Sequence, residues 1–169
     1  MDIIGVAKII FVNFYYFDIK TAITKHPIKC AGNVKIEHLG RRGSVVVSDA
    51  SHIGIGTKGS FALGDGKTTY WNIGPKGKVT VKGTVSICRG SQIIADGELE
   101  FGDRFYCNSN CIINSGKKIT FDEDCLLGWN VSVMDGDGHE MGGHNSTNLS
   151  QLESMTGLHL RRWFLREAI

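Results

Sequence analysis

Proline is scarce in this chain, with two residues among 169, and neither sign of charge dominates. The shortage of proline, with no Gly-X-Y period, excludes a collagen-like chain. Lys+Arg 19 against Asp+Glu 17 gives a formal net charge of +2, so there is no electrostatic argument for nucleic acid as a partner. No apolar run reaches the roughly 20 residues of a membrane span. The nearest candidate, Ile3 to Phe17, is interrupted by Lys8 and Asn13. It lacks a basic leading segment and a small-residue cleavage site, which argues against a signal peptide and makes a cytoplasmic location the expectation. CxxC is missing too. Cys30, Cys88, Cys107, Cys111 and Cys125 mostly have apolar neighbours and read as reduced, small hydrophobic fillers.

What the chain does have is glycine, 22 residues of it, and a hydrophobic content of 41%. That content supports a core and argues against disorder, and the length suits one domain. Stepping by twenty brings out columns. Ile53, Ile73, Ile93, Ile113 and Val133 form one, and Phe61, Val81, Phe101, Phe121 and Met141 a second. Val79, Leu99 and Ile119 form a third, and Val85, Phe105 and Cys125 a fourth.

Within each period the apolar residues come in i, i+2 groups, as in short strands with one buried face. From Val79 onward the group starts are spaced six, six, eight, then repeat. Three short strands per turn make a triangular coil, and stacked coils bond through their backbones while the columns fill the interior. The eight-residue step implies one longer corner, read as Gly74–Lys78, Ile94–Glu98, Asn114–Lys118 and Met134–Gly138. Glycine there is expected to supply positive φ.

This reading divides the chain into a lead-in at 1–30, a β-helix at 31–141 and a non-repeat tail at 142–169. The lead-in is expected to be helical around Gly5 to Thr24. In the tail, Leu158 to Ile169 reads as a basic, partly apolar helix that does not continue the stack.

Ile53-Gly54-Ile55-Gly56, the hexad spacing and the stretch from Leu127 through Asp135-Gly136-Asp137-Gly138-His139 resemble the hexapeptide-repeat acyltransferases. The similarity is greatest to O-acetyltransferases of capsular and surface polysaccharides, and it covers about residues 8–141. The resemblance implies a left-handed parallel β-helix, since periodicity alone does not set the hand. It also implies a homotrimer with active sites between neighbouring coils, acetyl-CoA as donor, a sugar hydroxyl as acceptor, and no metal. Carried onto this sequence, His139 is the catalytic base, and Asp135 and Asp137 shape the acceptor side.

The chemistry is consistent with that assignment. Acetyl transfer from a thioester needs a base near the hydroxyl, and histidine titrates in the working range without unusual tuning. By the repeat, His139 falls in the column of Val79, Leu99 and Ile119, where an aliphatic residue is due. Trp129 offers a ring face for a sugar, and Asn130 and Asn114 are further candidates for substrate contact.

Three rivals remain. An Asp-x-Asp metal site of a glycosyltransferase would need βαβ alternation that the chain does not show, and a calcium loop fails at Glu140 and Ser146. His139 and His144 suggest a zinc-dependent carbonic anhydrase-like site, but no well-placed third histidine lies upstream. The last rival is an inactive β-helix scaffold, because after His139 the family's further hexads and Trp-Ile-Gly motif are missing. On that view the tail from about Gly142 is a truncated or frame-shifted version of a longer one.

Overall fold

A computed structural model describes residues 3–31, 33–136 and 158–160. Two helices lead in, α1 (Ile3–Tyr16) and α2 (Ile19–Thr24). The expected helical stretch is therefore split at Phe17, where the Asp18 side chain accepts the Thr21 N–H at 3.0 Å and caps α2.

Strands follow in a three-beat order. The first beat is β1 (Ile28–Cys30), β4 (His52–Thr57), β7 (Thr84–Cys88), β10 (Phe105–Cys107) and β13 (Leu126–Leu127). The second is β2 (Val34–Leu39), β5 (Thr69–Ile73), β8 (Gln92–Ala95), β11 (Ile112–Ser115) and β14 (Ser132–Met134). The third is β3 (Val45–Val47), β6 (Lys78–Val81), β9 (Glu98–Phe101), β12 (Lys118–Phe121) and β15 (Leu158–Leu160). Each beat forms its own five-stranded parallel sheet, so each strand bonds to the one three elements along the chain. This is a parallel β-helix.

Alternation places the core. In β9, Leu99 and Phe101 are buried while Glu98 is exposed, and β6 and β12 repeat the pattern. Phe101 and Phe121 stack with centroids 5.6 Å apart, and Phe105 meets each of them at 4.7 Å. Such aromatic contacts add to area burial.

Two of the four columns are corrected by the register. Ile53 pairs with Val85 in the first sheet, and Ile73 pairs with Ala95, so Trp71 stands opposite Ile93. Phe61 leaves the second column for an exposed 3-10 turn, Ser60–Ala62, and Val47 pairs with Val81 in its place. The cause is an eleven-residue connection at 58–68 between β4 and β5, where the later turns use three to four residues. The columns of Val79 and Val85 hold.

The long corner also changes character. Ile94 and Ala95 belong to β8 and Glu98 to β9, leaving a turn of Asp96-Gly97. The eight-residue step reflects a longer strand with two inward residues, Ile93 and Ala95. Of its described glycines, Gly74, Gly77, Gly97, Gly116 and Gly136 do not have positive φ, whereas Gly40 and Gly43, at the same corner of the first turn, do. Gly77 and Gly97 are there because a Cβ would overlap the Ala95 and Lys117 carbonyl oxygens of the next corner. In the later turns positive φ falls on the other two corners, at Arg104 and Asp124 and at Gly90, Asn110 and Asn130, as it does earlier at Ala50.

Leu158–Leu160 is a strand paired with β12, with Leu158 opposite Ile119. These three residues thus extend the third sheet, where a tail helix was expected, and Leu158 occupies the column position expected for His139. Parallel pairing needs only an i, i+2 pattern, which Leu-His-Leu supplies.

Candidate functional site

The described site candidates lie around the last strand of the second sheet. Trp129 and Asn130 form the corner entering β14, and Asp135 begins the corner leaving it. Trp129 and Asp135 thus lie at opposite ends of β14, at most about 20 Å apart at about 3.3 Å per residue. Asn114 is half-buried in β11, between Ile94 and Met134 on the ladder. His139 and Asp137 lie outside the described residues, as does His144.

Asp135 is the best-anchored of the candidates. One carboxylate oxygen accepts the Gly116 N–H at 2.6 Å, and the other accepts those of Lys117 at 2.9 Å and Lys118. The Ser115 hydroxyl adds a weak contact at 3.5 Å. A carboxylate gathering backbone N–H groups makes a charge-assisted clamp. It locks the start of the segment that carries Asp137 and His139 onto the corner below. The carboxylate is thus committed to backbone, which limits what remains for an imidazole or a sugar.

At the other corner, Asn130 has φ 57° and its N–H donates to the Ser109 carbonyl at 3.2 Å. Asparagine tolerates that left-handed conformation better than most residues, so Asn130 has a backbone reason to be there. Trp129 is half-buried, with its ring 5.6 Å from Phe61. The exposed ring is Phe61, at 83%.

Sequence reasoning missed the 58–68 connection. It runs from β4 across the corners of the later turns. Arg89 pairs with Asp65 at 2.5 Å, and the Ser60 N–H donates to Asn108 Oδ1 at 3.2 Å. Phe61 and Ala62 both have positive φ, at 58° and 57°, an uncommon pairing for side-chain-bearing residues. Arg89 Nε, Ser109 Oγ, Asn110 Oδ1 and Trp129 Nε1 are buried here without a hydrogen-bond partner among the described residues. Donors, an acceptor and a hydroxyl thus converge on one corner with bonding capacity to spare. The signal was present in Lys58-Gly59-Ser60 and Gly64-Asp65-Gly66-Lys67, a turn-rich stretch inside what the period treated as coil.

Cys111 belongs to the corner entering β11, where its Sγ donates to the Gly128 carbonyl at 3.0 Å. All five cysteines are buried, and burial pushes the Cys30 thiol up to about 11. Among the described residues no group of three or more His, Cys, Asp or Glu side chains could hold a metal ion.

Comparison with family models, with curated proteins and with solved structures gave no match.

Proposed function

We propose that this chain is an acetyl-CoA-dependent sugar O-acetyltransferase acting in polysaccharide biosynthesis. The observation that carries the reading is the parallel β-helix whose last second-sheet strand runs directly into Asp135-Gly136-Asp137-Gly138-His139, with Asp135 clamped to the corner beneath. A histidine four residues beyond a fixed anchor is a sound place for a base. In the proposed step His139 accepts the acceptor hydroxyl proton as that oxygen attacks the thioester carbonyl. The tetrahedral oxyanion then collapses, the carbon–sulfur bond breaks, and the thiolate takes a proton to leave as coenzyme A. Trp129, Asn130 and Asn114 belong to the acceptor side, with Phe61 added as the exposed ring over Trp129. A homotrimer in the cytoplasm, using no metal, completes the proposal.

A second reading, an inactive scaffold, is favoured by one observation: the Asp135 carboxylate already serves three backbone N–H groups. One assay separates the two. Free-thiol release from acetyl-CoA is followed against a panel of sugar acceptors, beside calorimetric titration of the donor. Acceptor-dependent release that falls by at least about a hundredfold in His139→Ala, with oligomeric state unchanged, supports the transferase. Unchanged turnover in that variant removes His139 as base, and no turnover with no donor binding leaves the scaffold.

A further inference from the structure

α1 is apolar on both faces: Val12 and Tyr16 enter the core, and the outward side is apolar as well. Its outward residues are all apolar: Val6, Ala7, Ile10, Phe11 and Phe14 recur at helical spacing along one stripe. Phe11 is 57% exposed and Ile10 49%. Its polar groups point into the protein instead. Lys8 Nζ donates to the Val34 carbonyl at 2.8 Å, Tyr15 Oη to the Gly40 carbonyl at 2.7 Å, and Asn13 bonds to both the N–H and the carbonyl of Ile28. Ile19 and Ile23 of α2 are exposed as well. A contiguous apolar surface on a helix marks a place that something apolar covers.

The surroundings indicate what covers it. Residues 3–42 carry seven Lys or Arg side chains against two acids, Asp18 and Glu37, whereas the whole chain is close to neutral. Lys20, Lys29, Arg41 and Arg42 are exposed and form no ion pair among the described residues. Phe11 also borders a groove of about 740 Å³ lined by Lys8, His38 and Arg41, and by Lys35 paired with Glu37 at 2.9 Å, so the basic side chains there outnumber the one acid. An apolar stripe beside basic side chains matches an anionic bilayer, where acyl chains and headgroup phosphates present those two chemistries at adjacent depths. No described helix is long and apolar enough to cross a membrane, so the arrangement is one of lying on the surface.

We infer that the outward face of α1 docks this protein onto an anionic lipid surface, with the Lys35–Arg41 groove beside it taking lipid phosphate. This stands apart from the acyl-transfer reading and survives its failure. The test is co-sedimentation of the full chain with vesicles of phosphatidylcholine alone and of equal parts phosphatidylcholine and phosphatidylglycerol. Sedimentation with the mixed vesicles and not with the neutral ones is expected. The double variant Ile10→Ser/Phe14→Ser and the single variant Arg41→Glu should each weaken partitioning by about tenfold or more. The melt of Arg41→Glu should match the parent, because that side chain is exposed. The double variant should melt a few degrees lower but cooperatively, because Ile10 and Phe14 are 49% and 39% exposed. No sedimentation with the mixed vesicles, or equal sedimentation with both kinds, overturns the proposal. So does a lower oligomeric state of Ile10→Ser/Phe14→Ser in lipid-free light scattering, which would assign the face to a second copy of the chain.

Discussion

Gly97 and Gly116 sit in successive corners of the same column, but different pressures hold them. A Cβ on Gly97 would overlap the Lys117 carbonyl oxygen, which is backbone and has no room to retreat without parting two turns. At Gly116 the nearest atom is a side-chain oxygen of Asp135, 3.4 Å away, and φ is not positive. Gly97→Ala should therefore lower stability by about 1–3 kcal/mol, and Gly116→Ala should stay within about 0.5 kcal/mol. Thermal or urea unfolding of the two variants checks this, and equal losses would contradict the close-approach argument. The sequence shows that these corners contain glycine. It does not show why, because the reason lies in the distance to the next corner. For the same reason Asn130 looked like a sugar ligand, although its backbone conformation already accounts for an asparagine.

Among the elements, α1 is the one whose design the sequence obscured. Read along the chain, Lys8 and Asn13 interrupt an apolar run; in the fold they are the groups that join the helix to the first turn of the stack. Asn13 is fully buried and bonds the edge strand β1, donating to the Ile28 carbonyl at 2.8 Å and accepting the Ile28 N–H at 3.0 Å. An open sheet edge presents unpaired backbone groups, and here one amide side chain mimics the missing neighbour. Asn13→Leu keeps the γ-branched shape and raises the helix propensity, but it strands both groups of Ile28. The expected loss is about 2–4 kcal/mol, read by denaturant titration with an unchanged m-value. A neutral result would mean that the edge is satisfied from elsewhere. The 58–68 connection was harder to see. Its Phe61 lies twenty residues before Val81, so the period absorbed it, and only strand register shows it to be an insertion.

Across the whole molecule, the coil was legible because its core is a repeat: i, i+2 pairs at fixed steps admit few other arrangements from Val79 to Val133. The candidate site was legible only in part, since a site is where the repeat stops and periodicity carries no information there. Leu158 stands opposite Ile119, the position expected for His139, and nothing in a twenty-residue step foretells a return nearly two periods later. The same stacking sets how the molecule opens. Each strand bonds only to its neighbours above and below, so stability is a sum of turn and interface contributions, and it falls where an interface is lost. Strands β8 and β9 have described partners on both sides, whereas β13 and β14 have a described partner on one side. At the other end, β1 is backed by α1 through Asn13. Amide hydrogen exchange should therefore be slowest in β8 and β9. The Ile28 amide should exchange more slowly than those of β13 and β14, although both ends are edges by topology. Uniform protection from β1 to β14 would mean that the stack opens as a single unit. A graded profile with the helix-backed end the slower of the two would show that α1 closes the stack through its polar side chains, leaving its apolar stripe free to face outward.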